Sequence, residues 1–140
     1  MKAHLTRRYR FSAAHRLHCA GMSAAENQRI YGKCNNPHGH GHNYTLEVTV
    51  AGPVDARSGM VCDLAELDSV LQKEILERFE HSNLNQLPEF ARRVPTTENL
   101  CVEIFNRLQR DFANARVEKV RIEETMMNYF EYSGAAEPLR

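Results

Sequence analysis

The stretch HNYTLEVTV, His42 to Val50, puts Tyr44, Leu46, Val48 and Val50 on one parity and Asn43, Thr45, Glu47 and Thr49 on the other. Side chains of an extended chain alternate between faces, so this is a strand with an apolar side and a polar side. Gly52-Pro53 ends it, and turn residues from Asp55 to Gly59 lead into Met60-Val61-Cys62, a segment able to pair back as a hairpin. Upstream, Leu5, Tyr9, Phe11 and Ala13 alternate with Thr6, Arg8, Arg10 and Ser12, and His15 continues the apolar parity. The two strands are separated by a polar stretch, Gly21 to Asn36, that shows no period and reads as a long functional loop with room for a helical turn.

Downstream the period changes. Asp63-Leu64-Ala65-Glu66 has the form of an N-cap with its capping-box partner, and Leu64, Leu67, Leu71, Ile75 and Phe79 recur at helical spacing up to about His81. Pro95-Thr96-Thr97-Glu98 opens a second helix with the stripe Leu100, Ile104, Leu108 and Phe112. Val120, Ile122 and Glu124 then share a parity, and Tyr129 to Tyr132 is a partner strand across the turn from Thr125 to Asn128. The order strand, strand, helix, helix, strand, strand gives an α+β fold. Its expected form is an antiparallel four-stranded sheet with two helices packed on one face.

A chain of 140 residues with 42% apolar side chains is sized for one domain, expected over residues 1–133 with a frayed tail at 134–140. Eighteen basic and eighteen acidic residues cancel, so no long-range field attracts nucleic acid or an anionic membrane; a local basic pocket is still allowed. The chain has no long apolar run and no signal-like start, so a cytoplasmic protein is expected. Cys19, Cys34, Cys62 and Cys101 are widely spaced and form no C-x-x-C pair, which argues against a disulfide framework.

The candidate chemistry is concentrated in histidines. His38, His40 and His42 alternate with glycine at the start of the strongest strand. Neighbours in such a set lie about 6–7 Å apart at Cα and can share one ion, whereas the outer two are about 13 Å apart. At most two of the three can therefore serve one metal while the strand stays extended. The third ligand must come from elsewhere: His15 is best placed by parity, with His18 as competitor. Three neutral imidazoles leave a fourth coordination position open, the arrangement of a catalytic zinc. Without further context an H-x-H pair is as readily a solvated strand edge.

Other residues carry two readings each. Cys34 sits in the polar segment Lys33 to Asn36, where a thiolate near a cation can act as base, nucleophile or ligand, or the thiol can lie idle. His81, beside Glu80 at a predicted helix end, can relay protons or merely complement the helix dipole. Glu124 points inward by parity and must be paired, either with a guanidine-like edge of a ligand or with an arginine. Thr96 and Thr97 are first of all caps, with ligand contact as a second role.

GKCNNPHGHGHNY (Gly32 to Tyr44) and FSAAHRL (Phe11 to Leu17) together resemble the 6-pyruvoyl-tetrahydropterin synthase family. EHSNLN (Glu80 to Asn85), PTTEN (Pro95 to Asn99) and IEET (Ile122 to Thr125) are similar to that family's later motifs, in the same order. The resemblance implies a tunnelling fold whose subunits join their sheets into a barrel, commonly a homohexamer with active sites shared between subunits. It implies zinc held by His15, His40 and His42, a catalytic Cys34, a relay of His81 and Glu80, and a pterin anchor of Glu124 with Thr96 and Thr97. The implied substrate is 7,8-dihydroneopterin triphosphate, with Lys33, Arg16 and Arg29 as candidates for its phosphates.

In two places the sequence departs from the family pattern: His38 stands where asparagine is common, and Glu80 where aspartate is usual. The related 6-carboxytetrahydropterin synthase of the queuosine pathway, which also expels acetaldehyde, is the alternative; the Asn-Asn-Pro segment before the histidines looks more like the pyruvoyl branch. A non-catalytic zinc- or pterin-binding module would have little use for a general base and an open metal position. Aldolase action on dihydroneopterin does not call for a three-histidine site.

Overall fold

The computed structural model describes residues 2–135; of the expected frayed tail, residues 136–140 lie outside that range. Two long strands form the centre, β1 (Lys2–His15) and β2 (His40–Pro53), paired antiparallel along their whole length from Lys2 opposite Pro53 to His15 opposite His40. β4 (Arg116–Thr125) pairs antiparallel with β2, and β5 (Asn128–Tyr132) with β4. A two-residue strand, β3 (Ser82–Asn83), lies parallel to Ala13 and Ala14 on the other edge. The sheet therefore has five strands in the order β3-β1-β2-β4-β5, not the expected four, and is antiparallel except at β3. A strand of two residues is too short to show any period, which is why the alternation did not reveal it.

The apolar parity of each strand faces the helices. Phe11 and Ala13 of β1, Tyr44, Leu46, Val48 and Val50 of β2, and Val117, Val120 and Ile122 of β4 are all buried in one cluster. The helical side of that cluster comes from Leu67, Leu71, Ile75 and Phe79 and from Leu100, Ile104 and Leu108. Each fully buried side chain of this size contributes about 1.5–3 kcal/mol, so the sheet–helix interface is the main source of stability.

The first of these two helices, α2, is a continuous run over residues 64–79: Leu64–Leu71 passes through a π turn, Gln72–Leu76, into Glu77–Phe79. Asp63 caps it, accepting from the backbone N–H of Ala65 and Glu66, while the Asp63 N–H donates to Asn114 Oδ1 instead of to Glu66. The second, α3 (Thr97–Asp111), is capped by Thr96, whose hydroxyl accepts from the Asn99 N–H at 3.1 Å. Bidentate donation from Arg7 to Asp68, at 2.9 Å on both oxygens, and a 2.7 Å bond from the Tyr9 hydroxyl tie α2 to β1.

Two expectations need correction. The polar stretch after β1 holds a third helix, α1 (Ala24–Tyr31), capped by Ser23 and followed by a 3-10 turn, Gly32–Asn35. Its buried residue is Asn27, so no apolar stripe betrays it. Met60-Val61-Cys62 does not form a strand; Asp55 donates to the Met60 carbonyl and closes a loop there.

Candidate metal and catalytic site

The register of β1 against β2 builds the site. His15 stands directly opposite His40, and Ala13 opposite His42. Since His15, His40 and His42 share the inward parity, their rings converge at the end of the sheet, with centroids 4.7, 5.1 and 4.7 Å apart and planes close to perpendicular. One ligand nitrogen from each lies within 4.8 Å of the others. Nε2 of His15 and Nε2 of His40 are 3.1 Å apart, close to the spacing of about 3.3 Å that two nitrogens at tetrahedral angles around one zinc adopt.

Several features prepare these rings for a cation. Nδ1–H of His15 donates to the Pro95 carbonyl at 2.8 Å, which fixes the tautomer and leaves Nε2 with its lone pair toward the cluster. Burial lowers the pKa of His15, opposed by its bond to Pro95, and burial likewise lowers that of His42, opposed by Glu124. Both are held in the neutral form that metal ligation needs. Nε2 of His42 is buried and has no hydrogen-bond partner among the described residues. An orphaned imidazole nitrogen within reach of two other ligand nitrogens fits a divalent cation.

The competing histidines are engaged elsewhere. His38 is exposed in the turn before β2, its backbone N–H bonded to Asn36 Oδ1. Nδ1 of His18 accepts from the Asn35 amide at 2.9 Å. Neither belongs to the cluster.

Glu124 occupies the same pocket from β4. One carboxylate oxygen accepts from the hydroxyl of buried Thr97, and the other lies 3.5 Å from Nε2 of His42. No arginine pairs with it among the described residues; its hydrogen bond comes from Thr97 of α3, and His42 stands nearby without bonding it. Thr96, by contrast, serves as the helix cap. Cys34 sits in the 3-10 turn after α1, close enough to Glu124 that burial and that carboxylate together raise its thiol pKa. In the protein alone the thiol is protonated at neutral pH; a neighbouring cation would push it the other way.

Glu80 and His81 do not join this group. They follow α2 at the outer edge of β1, where the His81 N–H donates to the Ser12 carbonyl at 2.6 Å and Glu80 accepts from the Ser12 N–H at 3.2 Å. The His81 side chain is 80% exposed, lies 3.2 Å from the Glu80 carboxylate, and borders an open hollow lined also by Ser12, Ala14, Gly41, His42 and Asn43. Among the described residues, neither side chain makes a hydrogen bond or ion pair with the histidine cluster.

Three contributors escaped the sequence reading. Tyr44 looks like core by parity, yet its hydroxyl is buried without a hydrogen-bond partner among the described residues and its ring stands 5.5 Å from that of His42. The Pro95 carbonyl is a backbone atom, invisible to residue-type reasoning. Asn85 bonds both the N–H and the carbonyl of Arg16, at 2.7 and 2.8 Å, and so fixes the chain directly after His15.

Comparison with known proteins now adds to this geometry. The family model for 6-pyruvoyl tetrahydropterin synthase matches residues 4–135. The chain belongs to that family. The 6-pyruvoyl tetrahydrobiopterin synthase of Drosophila melanogaster is 46% identical over 134 residues, covering 94% of this chain and 80% of that protein. The solved 6-pyruvoyl tetrahydropterin synthase of Caenorhabditis elegans superposes with a TM-score of 0.92 at 42% identity, covering 96% of this chain and 97% of that one. The 6-carboxy-5,6,7,8-tetrahydropterin synthase of Haemophilus influenzae is 30% identical over 122 residues, covering 72% of this chain and 84% of that protein. The pterin synthase family thus spans the fold from β1 through β5, including every element that contributes to the cluster.

Proposed function

We propose that this chain is a zinc-dependent lyase that converts 7,8-dihydroneopterin triphosphate to 6-pyruvoyl-tetrahydropterin with loss of triphosphate. The observation that carries the reading is the convergence of His15, His40 and His42 beside Glu124, with their nitrogens within ligand range of one ion. Support for the pyruvoyl product over the carboxy product comes from the synthases named for it, which match at higher identity and over more of the chain.

In this reading Glu124 and Thr97 receive the pterin. A carboxylate with a hydroxyl donor beside it suits the amino-pyrimidine edge of the ring, which presents two N–H donors to one acid. His15, His40 and His42 would hold zinc, which would supply Lewis-acid chemistry toward the side-chain hydroxyls. Cys34 Sγ removes and returns protons on the side chain. His81 carries protons to solvent, and Glu80 orients its ring through Nε2. Since Glu80 and His81 make no bond to the cluster among the described residues, they serve the site of a neighbouring copy, in keeping with a site shared between subunits of a homohexamer. The side chain is oxidised while the ring is reduced, so the redox balance closes within one molecule and needs no further redox cofactor.

The test is product analysis by mass spectrometry on zinc-loaded protein given dihydroneopterin triphosphate, with a hydrazine trap for acetaldehyde. The expected result is a pyruvoyl pterin, one equivalent of inorganic triphosphate and no acetaldehyde. Stoichiometric acetaldehyde would assign the carboxy reaction instead, and unchanged substrate would refute both.

A further inference from the structure

Four buried side-chain atoms are without a hydrogen-bond partner among the described residues: Nε2 of His42, the Tyr44 hydroxyl, one oxygen of Glu118 and Nε of Arg121. The last two are compensated by charge. Nζ of Lys2 stands 3.0 Å from the Glu118 oxygen, and the Arg121 guanidinium lies 3.6 Å over the ring of Tyr129. The other two share one pocket, where a divalent cation would engage the histidine nitrogen. The Tyr44 hydroxyl has no such occupant.

Tyr44 is 0% exposed, and its ring is wedged in place. It stacks on Phe11 at 5.1 Å and stands 5.5 and 6.4 Å from the rings of His42 and His15. Close packing of this kind leaves the hydroxyl no route to water, and burial this complete keeps it from touching a ligand directly. Its chemical neighbours are Glu124 and Thr97: burial and the Glu124 carboxylate raise its pKa, and the Thr97 hydroxyl lowers it. Thr97, itself 1% exposed, has its only hydroxyl proton committed to Glu124. A hydroxyl oxygen also carries two lone pairs. Thr97 can therefore still accept a bond, and Tyr44 beside it holds an unused donor.

We propose that Tyr44 is a positioning residue for the pterin anchor, its hydroxyl kept in reserve to donate to the Thr97 oxygen when Glu124 closes on a ligand. The assignment deepens the pterin reading and rests on it. Ligand N–H groups compete with Thr97 for the carboxylate, and a second bond to its oxygen keeps Thr97 oriented. The Tyr44 O–H supplies that bond, and the chain from Tyr44 through Thr97 to Glu124 then strengthens along its length. In the unliganded chain the donor stays unpaired, which lowers stability. Such a local violation belongs at a site where stability is exchanged for a later contact.

The test compares the parent with Tyr44→Phe, Thr97→Val and the double variant as zinc-loaded full chains. Three quantities are read: retained zinc, the thermal midpoint without ligand, and affinity for unphosphorylated dihydroneopterin by fluorescence titration. Phenylalanine keeps the ring and its packing and removes only the unpaired atom. Tyr44→Phe should therefore keep its zinc and melt no lower than the parent, yet bind dihydroneopterin about fivefold more weakly. In the Thr97→Val background the same change should weaken binding by less than about twofold, because the partner that transmits it is gone. A merely structural tyrosine would show the reverse pattern, a lower midpoint with unchanged affinity, and would overturn the proposal. So would loss of zinc in Tyr44→Phe, or an undiminished further loss of affinity in the Thr97→Val background. No binding by the parent would refute the pterin reading and this proposal with it; equal binding by the parent and Tyr44→Phe would refute this proposal alone.

Discussion

Gly39 has a φ of +72°, and a β-carbon there would stand 3.1 Å from the carbonyl oxygen of His15. Any other residue meets both the left-handed backbone penalty and a contact against the chain that carries a ligand. Gly39→Ala should cost about 1–2 kcal/mol in chemical denaturation and weaken zinc binding in a chelator competition. The two threonines separate in a similar way. Thr96→Ala removes a helix cap and should lower stability by about 1 kcal/mol while leaving pterin affinity unchanged. Thr97→Val removes the hydroxyl that bonds Glu124 and should weaken pterin binding at nearly constant stability, as read by fluorescence titration alongside thermal melting. At this scale parity is informative: alternation alone turns His15, His40, His42 and Glu124 inward. It could not show that the positive φ at Gly39 leaves His38 in the turn outside β2, or that Thr97 and not Thr96 reaches the carboxylate. Those outcomes depend on the dihedral of one residue and on where α3 docks against β4.

Helices α2 and α3 are joined to the segment between them by an ionic cluster centred on Glu89, whose side chain is only 9% exposed. It accepts from Arg78 Nε at 2.6 Å and from Arg107 Nη2 at 2.7 Å, and Glu103 binds Arg107 and Arg93. The bonds from Arg78 hold the Glu89 carboxyl below its ordinary pKa of 4.5. As pH falls, the unfolded chain therefore takes up the proton first. The stabilisation is complete above about pH 4.5 and is lost as pH drops through the folded value. Glu89→Gln should cost about 2 kcal/mol at pH 7, less than for a fully buried pair because Arg78 is partly exposed. The gap between variant and parent should narrow as pH falls below about 4.5 in denaturant titrations. The helices themselves were legible because their apolar stripes are long and regular. α1 was not, since its buried contact is an asparagine, and neither was the π turn in α2, since widening one turn leaves the stripe of Leu71, Ile75 and Phe79 nearly unchanged.

Across the whole molecule the arrangement is divided. The histidine cluster, Glu124 and Cys34 share one end of the helix-covered face, while Glu80 and His81 sit at the outer edge of β1. In the proposed reading, a chain built this way completes its chemistry with a second copy. Cys34→Ala and His81→Ala should each be inactive by about a thousandfold, yet retain zinc and fold. Refolding the two together should restore roughly a quarter of the parent activity, because random pairing of two variants leaves one interface in four intact. Mixtures as inactive as their components would place both residues in one chain's site. This division could not be read from the sequence: Glu80 and His81 lie close to the other motifs in kind, and only the path of α2 to the β1 edge separates them.

All of this depends on one cation bound by three imidazoles, and the most direct measurement is the metal content of purified protein with X-ray absorption at the zinc edge. The account predicts about one zinc per chain with nitrogen neighbours at about 2.0–2.1 Å, falling to near zero in His42→Ala. Stoichiometric zinc that persists in His42→Ala, or sulfur in place of nitrogen in the coordination sphere, would contradict it.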